Sequence, residues 1–269
     1  MTTKNLTINL NGNSSLSLSL SLKNLYARVI VRKGPAGKAS VELNGDEKLI
    51  ELIKVIQPSS NEVLIEGEDG GGDVTVIQNH GRSSISVRGN GVVISGSVRG
   101  NIVSGGNVVI VNGKVISGGN GQVTEIAGAE MPTITVTVPE GTELDAESVE
   151  SLDAQGLNGK LYLSLNGQGQ AKVQDANGLK IDCSGQSRAE ITNATGNLKV
   201  DCSGQSRVTV KGNLDDVDAD SSGQSRIQIV GNCHDCEGNA SGMSSVSLIG
   251  RASGKVRKHE SGMSHVEIN

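Results

Sequence analysis

Phenylalanine and tryptophan are absent from this chain of 269 residues, and tyrosine occurs only twice. That excludes a globular core built around large rings, and it excludes an aromatic platform for stacking single-stranded nucleic acid. A surplus of basic charge is lacking too. The formal net charge is −5 with no basic tract, so no electrostatic footprint for nucleic acid stands out. No run reaches the roughly 18 apolar residues of a membrane-spanning helix. The opening MTTKNLTINLNGNSS has no charged start followed by a long apolar stretch, so no signal peptide is visible. If Met1 is the native start, a cytoplasmic protein is expected; if a leader was removed, the cell envelope or the exterior is expected. Four cysteines over this length do not make a disulfide framework. GxSxG, HExxH and a glycine-rich dinucleotide turn are all missing. Nothing singles out a pair among acids such as Glu147 and Glu150. The expectation is a protein that is not an enzyme, with no catalytic residue and no cofactor.

Glycine is abundant instead, at 37 residues, and the apolar residues are mostly Val, Ile and Leu. These side chains pack well on pleated surfaces. Three stretches differ in character. Residues 1–75 form a β-rich opening and cap: Leu16, Leu18, Leu20 and Leu22 alternate with serines, and one short helix is allowed within 46–56. Residues 76–130 are a Gly/Ser/Asn-rich insertion of short strands or a hairpin array. Residues 131–269 are repetitive, and the three stretches together make one continuous domain.

The repeat announces itself in SGQSR, which occurs at 184–188, 203–207 and 222–226, with SGMSS at 241–245 and SGMSH at 261–265. A looser copy lies at 161–178. Self-similarity at 18–20 residues is the signature of a solenoid. Each copy holds two alternating runs. Leu179, Ile181 and Cys183 share one parity, and Ala189 and Ile191 share another. Down the copies the columns read Ala189, Val208, Ile227, Val246, Val266 and Ile191, Val210, Ile229, Leu248, Ile268. Stacked rows about 4.8 Å apart follow from such columns. The fold class is therefore all-β: a single-stranded parallel β-helix, or β-solenoid, with one coil per repeat and a right-handed winding from the crossover rule.

Three features are similar to the bacterial adhesin β-helix domains, the head-GIN group and its LiaG-like relatives. They are the strand-rich opening SLKNLYARVIVRKGPAGKASVELNGDEKLIELIKV, the passage VTVPEGTELDAESV at 136–149, and the serial SG-x-S phrases. The resemblance covers most of the chain and is weakest over 78–127. It implies a β-helical fold and an adhesion or envelope role, and it brings no catalytic residues.

In the repeat, Gly185, Gly204, Gly223, Gly242 and Gly262 read as corner glycines with positive φ, and the serines as caps for backbone groups. A binding surface would come from the outward columns instead. These are Gln186, Gln205, Gln224, Met243 and Met263, and beside them Arg188, Arg207 and Arg226. Three residues before each corner glycine stand Asp182, Asp201, Asp220, Asn239 and His259; three after it stand the arginines, Ser245 and His265. Stacked arginines repel by roughly 0.8 kcal/mol per neighbour in water. Because the two columns change together, a mutually neutralising Asp/Arg ladder is preferred over an anion-binding arginine stripe. His259 and His265 form a candidate pair in the last coil. Cys233 and Cys236 form a CxxC, a weak metal candidate without a second pair to complete it. Cys233 is assigned to the column of Leu198 and Leu214, Cys236 to that of Val217, so both read as small core residues, as do Cys183 and Cys202.

The chain stops inside a β-run at Val266-Glu267-Ile268-Asn269, with no polar terminal coil in view. That predicts a homo-oligomer through the C-terminal β edge at Val266 and Ile268. The function expected is a non-enzymatic adhesin-like binding or assembly module that self-associates through its solenoid ends and takes a glycan or small ligand. The alternatives are a cytosolic oligomeric scaffold or ligand-sequestering protein, phage-encoded in one version, and a β-helical polysaccharide-acting enzyme. The last of these needs a carboxylate-lined groove beside the helix.

Overall fold

The computed structural model describes residues 2–9, 18–67, 74–78, 85–88, 108–111, 114–117, 123–127 and 131–268. Leu16 and most of the Gly/Ser/Asn-rich insertion lie outside them. The chain divides into two compact units that do not follow chain order. One is built from residues 1–2, 45–52 and 68–132, the other from 3–44, 53–67 and 133–269.

In the first unit, Val74–Gln78 pairs antiparallel with Ile85–Arg88 and parallel with Val123–Ala127. Val108–Val111 and Lys114–Ser117 form an antiparallel hairpin. The short helix is Glu47–Glu51. Among the described residues no helix is long and apolar enough to cross a membrane.

The second unit is the solenoid. From Leu161 onward each coil supplies one strand to each of two faces, and successive coils pair parallel and in register. On the first face the inward row Leu161, Leu179, Leu198, Val217, Cys236 is buried throughout. On the second face the row Ala171, Ala189, Val208, Ile227, Val246, Val266 is buried as well. Each fully buried Val, Leu or Ile contributes about 1.5–3 kcal/mol, so many stacked aliphatic chains replace the missing rings. The two faces taper in opposite senses. Ile181, Val200, Ala219 and Gly238 shrink along one row, while Ala189, Val208 and Ile227 grow along the other. At the narrow point a Cβ on Gly238 would lie 2.8 Å from a Val266 methyl and 3.4 Å from a Val246 methyl, so Gly238 is the residue that lets the opposite face fill the core.

The start of the solenoid is interleaved. Ser19–Lys33 bends across both faces and pairs parallel with Glu143–Gln155 on one side. On its other side it pairs with Glu62–Gly67 and Thr133–Val138. The strand that alternates Leu with Ser is thus itself a coil of the stack. Antiparallel strands close this end: Lys38–Gly45 against Thr133–Val138, and Ile53–Ser59 against Glu62–Gly67.

The other end corrects one expectation. The last coil is polar in its inward rows. Lys258 continues the row of Gly238, and Glu260 that of Ala240. Lys258 Nζ donates to Ile268 O at 2.8 Å, and Val266 N donates to Glu260 Oε1 at 2.5 Å. Val266 and Ile268 are buried inside their own coil beneath these groups.

Candidate functional site

The SG-x-S phrase forms the corner between the two faces. Gly185, Gly204, Gly223, Gly242 and Gly262 have φ of 71–79°, as the corner requires. They also stack: a Cβ on Gly204 would lie 2.7 Å from Gly185 O. From the second phrase onward the second serine points inward and ties its corner to the coil below. Ser206 Oγ donates to Cys183 O at 3.3 Å, Ser244 Oγ to Ser221 O at 2.8 Å and Ser264 Oγ to Ala240 O at 2.8 Å. At the second corner asparagines make a similar ladder, with Asn232 N donating to Asn213 Oδ1 at 3.3 Å and Arg251 N to Asn232 Oδ1 at 3.1 Å.

The middle residue of the phrase points out. Gln186, Gln205, Gln224, Met243 and Met263 are all exposed, and Gln205 Nε2 donates to Gln224 Oε1 at 3.4 Å. Arg188, Arg207 and Arg226 stand in register on the second face, also exposed. Among the described residues no ion pair joins them to Asp182, Asp201 or Asp220. The neutralising Asp/Arg ladder is therefore not formed. Both columns face outward, but they lie on strands that meet at a convex corner, and outward side chains on either side of such a corner diverge.

The aspartates line a groove instead. Asp182, Asp201, Asp220, Asn239 and His259 occupy successive coils in one outward row of the first face. Ser184, Ser203, Ser222, Ser241 and Ser261, the first serines of each phrase, form the adjoining row. Between the rows runs an open groove of about 450 Å³ spanning five coils. Its electrostatics follow from the stacking. Burial, then the charge of Asp220 and a hydrogen bond shared with it, then the charge of Asp182, hold the Asp201 carboxyl above the ordinary carboxylate range. Beyond Asp220 the row changes chemistry: Asn239 Nδ2 donates to Asp220 Oδ1 at 2.6 Å. The groove escaped sequence reasoning, although a signal for it was present. A column of small hydroxyl residues next to a column of carboxylates leaves room for a ligand.

The remaining candidates are dispersed. His259 ends the aspartate row and His265 ends the arginine row, where its Nδ1 lies 3.5 Å from Glu260 Oε1, so the two histidines do not form a pair. All four cysteines are buried and free. The register places Leu198 in the row of Val217 and Cys236, while Cys233 bridges to Ala252. Among the described residues no group of three or more His, Cys, Asp and Glu side chains could hold a metal ion, so Cys233 and Cys236 gain no third ligand.

A family model described as "Putative auto-transporter adhesin, head GIN domain" matches residues 69–268. Among solved structures, the chain is similar to a putative adhesin from Parabacteroides merdae ATCC 43184, at 10% identity and a TM-score of 0.47, covering 99% of this chain and 96% of that one. It is also similar to a putative adhesin from Parabacteroides distasonis ATCC 8503, at 9% identity and a TM-score of 0.43, covering 99% and 97%. No curated protein matches.

Proposed function

This chain belongs to the auto-transporter adhesin head GIN domain family, and from that premise we propose that it is a non-enzymatic, adhesin-like binding module whose ligand lies in the groove of the first face. One observation carries the reading: five consecutive coils present the same two outward rows at the same register, one of carboxylates ending in Asn239 and His259, the other of serine hydroxyls. Such a groove offers hydrogen-bond acceptors and donors at regular intervals on either side of a floor formed by Cys183, Cys202, Ser221 and Ala240. That suits an extended, hydroxyl-rich ligand such as a glycan chain. The test is retention on a panel of immobilised glycans for the native chain and for Ser203→Tyr, which fills the groove at its middle coil. Retention on the uncharged glycans of the panel that Ser203→Tyr abolishes supports the reading; retention on them indifferent to it, or none, refutes it.

A second reading rests on the same groove. A polysaccharide-acting enzyme needs carboxylates of unequal acidity beside its substrate, and Asp201 is held above the ordinary range while flanked by Asp182 and Asp220. The same panel separates the two readings. Release of reducing ends that Asp201→Asn abolishes favours the enzyme, and binding without release favours the adhesin.

Self-association belongs to the proposal as well. Val256–Gly262 and His265–Ile268 are each paired along one side only among the described residues, and Val256–Gly262 is exposed throughout. An edge of that kind accepts another strand through its backbone, while the buried Val266 and Ile268 stay in their own coil. Light scattering over a range of concentrations checks this: a growing mass is expected, and a constant monomer mass contradicts it.

A further inference from the structure

The second face of the solenoid is charged oppositely to the chain as a whole. Arg188, Arg207 and Arg226 occupy one outward row on three consecutive coils. The next outward row holds Lys172, Glu190, Thr209 and Gln228. Across these four coils the one carboxylate, Glu190, is taken up by Lys211 Nζ at 3.3 Å, and the row reaches its other carboxylates, Asp153 and Glu267, only beyond them. On the corner side the arginines are flanked by the exposed amides of Gln186, Gln205 and Gln224. The aspartates that could have neutralised them face the groove across the corner, without an ion pair to any of the three. In a chain of net charge −5, this is a local stripe of guanidinium groups with no ion-pair partner among the described residues, at the spacing of parallel strands, about 4.8 Å.

We propose that this stripe binds an acidic polysaccharide, an extended chain with a carboxylate on successive sugars, laid along the solenoid axis. Guanidinium groups grip carboxylates through paired N–H donors, and the neighbouring glutamines hydrogen-bond sugar hydroxyls. A row one side chain wide matches a single chain of anions. Nucleic acid is disfavoured because the stripe has no ring on which bases could stack: of the chain's two tyrosines, Tyr26 is partly buried and Tyr162 lies on the first face. The site lies across the corner from the groove, so it stands independently of the ligand proposed there.

The experiment measures binding of the full chain to polygalacturonate at low salt, beside fully methyl-esterified polygalacturonate, polyglutamate and a single-stranded oligonucleotide. Polygalacturonate is expected to bind and its ester not. The affinity is expected to fall steeply as salt shortens the screening length towards about 3 Å at 1 M. Arg207→Gln should weaken binding at least about fivefold by removing one of three charge-assisted contacts. Replacing all three arginines by glutamine should abolish it, while Ser203→Tyr leaves it unchanged. The exposed single change keeps the test valid should the triple variant be poorly folded. Equal binding of the ester, equal binding by Arg207→Gln, or tighter binding of polyglutamate or the oligonucleotide would each overturn the proposal.

Discussion

Asn239 Nδ2 donates to Asp220 Oδ1 at 2.6 Å, and with that bond the aspartate stack ends. Below it, Asp182, Asp201 and Asp220 stand in register with no arginine to offset them. Burial and the neighbouring Asp220 and Asp182 carboxylates raise the Asp201 pKa. A carboxyl whose pKa is higher in the folded chain than in the unfolded one stabilises the fold below the unfolded value, about 3.9. That contribution is lost as pH rises through the folded value. Asp201→Asn keeps the shape and removes the charge. It is expected to raise the melting temperature at neutral pH, with the gain vanishing as pH falls towards about 4. Thermal denaturation followed by circular dichroism across that range checks both the sign and the window.

The serine row supplies a paired comparison. Ser225 Oγ lies 2.8 Å from Ser222 O and 3.1 Å from Cys202 O, tying two coils together at the corner. Ser187 Oγ, lower in the row, is buried and finds no oxygen or nitrogen partner among the described residues, standing beside the Cys183 thiol. Removing a hydroxyl that satisfies buried carbonyls costs about 1–3 kcal/mol, whereas removing an unsatisfied one is neutral or favourable. Ser225→Ala should therefore destabilise and Ser187→Ala should not, as read from urea denaturation midpoints.

The corner glycines separate backbone conformation from stacking. Gly37 and Gly204 have nearly the same φ, 74° and 71°. A Cβ on Gly37 meets nothing within 4 Å, while one on Gly204 would lie 2.7 Å from Gly185 O. Gly37→Ala should cost only the left-handed penalty, about 1–2 kcal/mol. Gly204→Ala should cost visibly more, because the coil below must also shift. Equal losses in denaturant titrations would mean that stacking at the corner adds nothing.

Much of this architecture was readable in the letters because the repeat is short and the period of two is strict. Ala189, Val208 and Ile227 fall in one column of the alignment and in one row of the core. The glycines and serines of the phrase take the places their chemistry demands. Parity, however, tells inside from outside and nothing more. It gave no sign that Ser19–Lys33 would stack beside Glu143–Gln155, because an alternating strand looks the same in a meander and in a coil. It also made Asp201 and Arg207 look like partners, since both are outward, when the corner between them sends them apart. Lys258 and Glu260 were legible as polar residues in the columns of Ile181 and Cys183. Their meaning, charged side chains over the buried rows of the coil before them, needed the register.

The cysteines give a last test of whether any of this chain's polar chemistry is reactive. Burial pushes the Cys236 thiol up to about 12 and raises Cys233 as well. The hydrogen bond with the neighbouring Cys183 thiol, together with burial, raises Cys202, and the same bond lowers Cys183. The thiolate is the form that attacks an alkylating reagent, so three of the four thiols are protonated at mildly alkaline pH, and all four are shielded from solvent. Native protein treated with a maleimide at pH 8 is expected to take up no label within the time that unfolded protein takes up four, as counted by intact mass. Where slow labelling does occur, peptide mapping should place it first at Cys183. Rapid labelling at Cys233 or Cys236 would instead mark the CxxC as an accessible, chemically active pair, and the reading of these residues as small members of the core would fall.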